Sequence, residues 1–292
     1  MIATDLAGRL GLRKSKRDWR GDCPACGYHA SFIVRAGAYG RALPQCVSCG
    51  DREAIDHALQ QITAGGWAAP EPQDRQTDAE ARAGKVEAAR RVWAGAGTIP
   101  GTPAELYLWN RCLGFLSGCS RLRYREDVSH PQGGRHAALV GLVTDADDRP
   151  VAVHRTYLER ATGRKADLEP TKASLGPVWG GAIRLSGNKL GQIDPLSGPL
   201  VIAEGIETAG SAGLLEDAPA WAAISAGNLA SGLILPEAVR WVIVAADPDE
   251  PGMRAAEQAA VRWRREGRRV EIIRPPGAGD FNDVLMREGG HG

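Results

Sequence analysis

Four of the six cysteines in this 292-residue chain fall in two C-x-x-C pairs, Cys23-x-x-Cys26 and Cys46-x-x-Cys49, with 19 residues between them. Each C-x-x-C turn points two thiolates at one spot, and two such knuckles complete the tetrahedron that a zinc ion takes. Pro24 and Gly27 in one knuckle, and Gly50 after the other, suit tight turns. So short a segment buries little apolar surface, which makes the metal its organising element. One structural Zn2+ is expected, in an N-terminal zinc ribbon with flanking helices over residues 1–63. Cys112 and Cys119 lie apart from the pairs and are not expected to join them. Ile2, Leu6 and Leu10, four apart, predict a short amphipathic helix. Asp5 and Arg9 interrupt it, and no signal-peptide h-region follows, so a cytoplasmic setting without disulfides is expected. No run of about 18 apolar residues is present, so no membrane partner is expected.

The formal net charge is +1, so any nucleic-acid contact must come from local charge distribution. Arg13, Lys14, Lys16, Arg17 and Arg20 crowd into eight residues, with Trp19, Tyr28, Phe32 and Tyr39 close by. Basic groups interleaved with aromatics suit single-stranded nucleic acid, through phosphate contacts and base stacking. The same residues serve equally well as a solvated basic face over a small aromatic core.

Residues 64–76, AGGWAAPEPQDRQ, read as a linker. A helix is predicted over Asp78–Ala94 with Thr77 as its cap, and another from Thr102-Pro103 to Cys112. The stretch HAALVGLVTDADDRPVAVHRTYLE predicts two strands around a polar turn at Asp145–Arg149, followed by loops and short strands. From Pro199, apolar strands alternate with helices, which implies a mainly parallel, doubly covered sheet. The expected class is α+β and multidomain: the zinc ribbon, a mixed α/β middle domain over 77–197, and a C-terminal α/β domain over 198–292.

Acidic residues stand where strands of that last domain should end. Glu204 follows LVIA, Asp247 and Asp249 follow WVIVAA, and Asp280 and Asp283 follow VEIIRPP across a glycine-containing loop. Carboxyl ends of parallel strands converge on one edge, where ligands bind. Carboxylates gathered there repel one another unless a cation neutralises them, and magnesium is held by a few carboxylates plus phosphate oxygens. Such a site fits phosphoryl or nucleotidyl transfer. Singly, Asp249 and Asp280 are also placed to cap helices.

The segments VIAEGIET, VIVAADPDEPG and GAGDFNDVL, in that order, resemble the Toprim domain of bacterial primases, topoisomerases and some nucleases. With the four-cysteine ribbon, HRTYLE, GGAIRL and SAGN, the chain is similar to Toprim primases of phages and mobile elements. The resemblance implies an acid/base or metal role for Glu204, metal binding by Asp247 and Asp249, and an acidic pair, Asp280 and Asp283, closing the site. It implies two catalytic Mg2+ or Mn2+ ions and a middle domain that holds template and nucleotide. His154, Arg155 and Lys172 are its best basic candidates, with Lys165 equally an ordinary surface charge. The implied activity is that of a DNA primase acting on a single-stranded DNA template and nucleoside triphosphates. The rivals are a Toprim nuclease and a non-catalytic DNA-binding mediator of recombination or replication. Pro251 stands where topoisomerases carry a third aspartate, and no G-x-x-x-x-G-K-S/T loop is present, so a replicative helicase partner would be a separate chain.

Overall fold

The computed structural model describes all residues except 16–17, 28–30, 38–39, 47–50, 69–71, 186–197, 278 and 290–292. The chain divides into two compact units, Met1–Ala81 and Arg82–Gly292.

The first unit is built on a four-stranded antiparallel sheet in the order β1 (Arg13–Ser15), β2 (Asp18–Gly21), β3 (Phe32–Ala36), β4 (Ala42–Cys46). Helix α1 (Ala3–Arg9) realises the predicted amphipathic turn, with Ala3, Leu6 and Ala7 buried. Phe32, Ile33 and Val34 of β3 are buried with them, so at least one of the aromatics near the basic cluster fills the core. Helix α2 (Arg52–Ile62) starts at Asp51, whose carboxylate accepts from Ala54 N at 3.0 Å, and buries Ile55 and Leu59.

Helix α3 (Pro72–Ala94) begins six residues before the expected start, inside the stretch read as a linker. Pro72 fits the first turn, where the missing N–H costs nothing, so proline-rich composition misled the boundary. Helix α4 (Pro103–Trp109) stops short of Cys112, which adopts φ 56°.

In the second unit, β5 (Leu122–Ser129), β6 (Arg135–Thr144), β7 (Pro150–Tyr157) and β8 (Lys172–Leu175) form an antiparallel sheet in that order. The β6–β7 turn is the expected one: Asp145 Oδ1 accepts from Asp147 N at 3.0 Å and Arg149 N at 2.8 Å. Ala89, Val92 and Trp93 of α3 pack with Ala138, Val140 and Val153, while Leu139, Val143 and Ala152 belong to the larger core.

The second sheet of this unit has the order β13-β12-β10-β11-β9. Strands β10 (Pro199–Ala203), β11 (Ala220–Ala222), β12 (Trp241–Ala245) and β13 (Arg269–Ile273) are parallel, and β9 (Ile183–Leu185) pairs antiparallel with β11 at the edge. Helices α5 (Ile206–Leu215), α6 (Glu250–Arg265) and α7 (Phe281–Gly289) complete it. Ala255, Ala256, Ala259, Ala260 and Trp263 line the buried face of α6. The core shared by the two sheets includes Leu139, Ile183, Val201, Ile243 and Phe281. A Cβ on Gly141 would lie 2.4 Å from Ile183 Cδ1, so a side chain there would force the end of Ile183 in β9 to shift. Among the described residues, no helix is long and apolar enough to cross a membrane.

Candidate active site

Ala203, Ala245 and Ile273 stand level across β10, β12 and β13, so the residues after these strands emerge at one carboxyl edge. Glu204 follows β10 at once, and Asp247 follows β12 after Ala246. Asp249 is the N-cap of α6 and accepts from Gly252 N at 2.7 Å. A Cβ on Gly252 would lie 2.8 Å from Asp249 Oδ1 and 2.9 Å from Asp247 Cβ, so only glycine lets the helix start this close to both acids. Thr208 Oγ1 donates to Asp247 Oδ1 at 3.0 Å.

Burial, and then the charges of Asp247 and Asp249, push Glu204 up to about 7. Burial also raises Asp247; the Thr208 hydrogen bond opposes this, and the charges of Asp249 and Asp280 add to it. These acids therefore feel one another, and a hard divalent cation with oxygen ligands would relieve the repulsion. Among the described residues, no three carboxylates bring oxygens within 4.8 Å of one another. The set fits an ion that keeps waters or substrate oxygens in its shell, as magnesium does, better than a closed protein cage. Asp280 and Asp283 form a reciprocal cap on α7: Asp283 N donates to Asp280 Oδ1, and Asp280 N to Asp283 Oδ2, each at 2.9 Å. Each thus commits one oxygen to the helix start.

In the first unit, the Sγ atoms of Cys23, Cys26 and Cys46 all lie within 4.8 Å of one another. Gly27, at φ 70°, turns the first knuckle and donates its N–H to Cys23 O at 2.8 Å. Cys26 and Cys46 place their sulfurs 3.8 Å apart. Zn–S bonds of about 2.3 Å in a tetrahedron set sulfurs about 3.8 Å apart, so the spacing fits zinc. Cys49 lies outside the described residues.

No curated protein matches the chain in sequence. Residues 83–185 match the family model described as "Domain of unknown function (DUF7146)". Residues 199–291 match the model described as "Toprim domain". The C-terminal segment is a Toprim domain. Among solved structures, the chain is similar to the zinc-binding and RNA polymerase domains of Aquifex aeolicus primase, at 14% identity and a TM-score of 0.43, covering 100% of this chain and 81% of that one. It is also similar to the RNA polymerase domain of Mycobacterium tuberculosis primase DnaG, at 13% identity and a TM-score of 0.44, covering 71% and 80%. A third is the primase fragment of the bacteriophage T7 primase-helicase protein, at 11% and 0.37, covering 93% and 95%.

The Toprim domain holds an acid that the sequence reading passed over. Glu207, in the first turn of α5, is buried. Lys172 Nζ lies 2.8 Å from its Oε1 and 2.9 Å from its Oε2, Lys165 Nζ lies 3.4 Å from Oε1, and the Tyr107 hydroxyl donates to Oε1. Burial opposes ionisation, but the charges of Lys172 and Lys165, with hydrogen bonds from Lys172 and Tyr107, hold this carboxyl well below the usual range. Through Glu207, which follows Glu204 by three residues at the start of α5, Lys172 is brought to the side of the Toprim domain that carries the acids, and its charge favours ionisation of both Glu204 and Asp247.

His154 and Arg155 stand elsewhere than expected. Both are buried in β7. Arg155 donates to the carbonyls of Ala173, Ser129 and Ser174 at 3.2, 2.8 and 3.0 Å, which ties β8 and the end of β5 to β7. His154 Nδ1 bonds Ser174 Oγ at 3.0 Å, and burial, then the Lys172 charge, push it down to about 3. Their basic groups are spent inside the sheet, which corrects the expectation that they meet nucleic acid.

The β1–β2 hairpin leaves Arg13, Lys14 and Arg20 exposed, with Lys14 Nζ 3.4 Å from the centre of the Trp19 ring. Lys16, Arg17, Tyr28 and Tyr39 lie outside the described residues. A groove of about 680 Å³, lined by Arg135, His136, Arg160, Arg164 and Lys165 among others, opens on the β6–β7 side of the second unit. Three of its basic residues, Arg160, Arg164 and Lys165, fall within six residues of sequence, and Glu159 and Asp167 line it with them.

Proposed function

We propose that the chain is a DNA primase, serving phage, plasmid or mobile-element replication and joining nucleotides on a single-stranded DNA template. The observation that carries this reading is the placement of Glu204, Asp247 and Asp249 at the carboxyl edge of the Toprim sheet, beside the ammonium of Lys172. In this reading Glu204, Asp247 and Asp249 would hold two Mg2+ or Mn2+ ions, with Asp280 and Asp283 at the margin. The ions supply activation of the attacking hydroxyl and charge neutralisation on the leaving group.

In the same reading Glu204, kept ionised by the positive charge gathered at this edge, accepts the proton of the attacking primer 3′-hydroxyl. The O3′–Pα bond forms, the bond from Pα to the β-phosphate oxygen breaks, and pyrophosphate leaves. Lys172 offsets charge on the phosphates. The Cys23, Cys26, Cys46 and Cys49 knuckles hold the structural zinc. The hairpin carrying Arg13, Lys14 and Trp19, with Lys16 and Arg17 close by in the sequence, contacts the template, and the groove at Arg135, Arg160 and Arg164 guides its backbone.

The test is incubation of the purified chain with single-stranded DNA and labelled nucleoside triphosphates, with and without Mg2+ or Mn2+. Labelled oligonucleotide that requires the metal is the expected result. Template degradation without synthesis would replace this reading with a nuclease. Binding or annealing with neither reaction would replace it with a mediator.

A further inference from the structure

Glu207 lies three residues past Glu204, in the first turn of α5, on a different errand. Its side chain is 8% exposed, and both oxygens are taken, so no face is left for a metal ion. A carboxylate at this depth needs compensation, and here two ammonium groups and a phenol provide more than one negative charge requires. The surplus is positive, and both lysine side chains are 33% exposed, so a ligand from solvent can reach them. The lysines come from outside the Toprim segment: Lys165 from the loop between β7 and β8, and Lys172 from the start of β8. Two ammoniums on long, flexible stems repel each other and would not stay paired without an anion between them. Tyr107, from α4, fixes that anion by donating to it. The pair stands beside the acid edge, since both lysines meet Glu207 in the first turn of α5, three residues past Glu204.

We propose that Glu207 is a positioning residue that gathers Lys165 and Lys172 into a two-ammonium clamp for the triphosphate of the incoming nucleotide. The identity of the ligand rests on the primase reading; the clamp itself rests on the geometry.

Glu207→Gln keeps the shape and an acceptor for Tyr107 but removes the charge that holds the lysines together. In primer synthesis the KM for ATP should rise about ten-fold while kcat stays within about three-fold, and Glu207→Asp should recover part of the loss. In the Lys165→Gln/Lys172→Gln background, Glu207→Gln should add nothing, because its effect passes through the lysines. The same cycle is run on equilibrium binding of fluorescent ATP to the full chain. Weakened ATP binding by Glu207→Gln, in a wild-type chain that makes no primer, would retire the primase reading and leave the clamp standing. Unchanged KM and ATP affinity, or an equal loss with both lysines already replaced, would overturn the clamp. A fall in kcat and thermal stability with KM unchanged would reduce Glu207 to a structural role and overturn it too. Should Glu207→Gln not fold, Lys165→Gln and Lys172→Gln decide singly: unchanged ATP affinity in both overturns the proposal.

Discussion

Asn228 is fully buried and spends its whole amide on backbone. Its Oδ1 accepts from Gly180 N at 2.9 Å, and its Nδ2 donates to Gly181 O at 2.9 Å and Ala223 O at 2.7 Å. One side chain thus ties the turn ahead of β9 to the end of β11. Asn228→Ala strands three buried backbone groups, each worth about 1–3 kcal/mol when left without a partner. With partial relaxation the expected loss is about 4 kcal/mol, a large share of the roughly 5–15 kcal/mol that holds a domain folded. Asn228→Asp should be worse than alanine: it keeps an acceptor for Gly180 N but turns an anionic oxygen toward two carbonyls in a dry site. Guanidinium unfolding followed by tryptophan fluorescence measures both, with Trp179 and Trp221 close to the perturbation. The midpoint should fall at constant slope. An alanine variant losing less than about 1 kcal/mol, or an aspartate variant more stable than alanine, would refute the reasoning.

Asp247→Asn should abolish primer synthesis while leaving single-stranded DNA affinity intact, because the basic hairpin lies in the other unit; retained synthesis would dismiss the acid edge as the active site. Metal analysis should find one zinc per chain, and Cys26→Ser or a chelator should melt the β1–β4 sheet, read as rapid proteolysis within residues 1–81. Trp19→Ala should weaken single-stranded DNA binding by about 1–3 kcal/mol, and Arg13→Ala with Lys14→Ala should flatten its salt dependence; unchanged affinity would make the hairpin a solvated face. His154, held near 3 when folded, binds a proton in the unfolded chain below about 6.5, so it withdraws stability as pH falls from about 6.5 to about 3. His154→Gln, which can keep the bond to Ser174, should shallow the acid limb of the stability curve, and an unchanged limb would count against this placement.

The parallel sheet was legible because strands buried on both faces are written as unbroken apolar runs. LVIA and WVIVAA leave no other reading, and the acids that follow them are found by position alone. Strand β5 was not legible. LRYREDVS buries only Leu122 and Val128, and a shift in register between Arg125 and Val128 breaks its alternation. Glu207 was hidden for another reason: its partners Lys172 and Tyr107 lie 35 and 100 residues away, and nothing local marks a helical glutamate as buried. Arg155 was misjudged because a buried arginine is the exception, and only the three carbonyls around it explain its place.

Strand β9 precedes the Toprim segment in the chain yet completes its sheet by pairing with β11. The two stretches are therefore bound to a common inheritance. A recombination event that cut between them would leave β11 with a bare hydrogen-bonding edge. Such a fragment would seek its missing strand in another copy of itself. The two stretches are expected to be passed on together, and a gene carrying the second without the first should bring a substitute edge strand of its own.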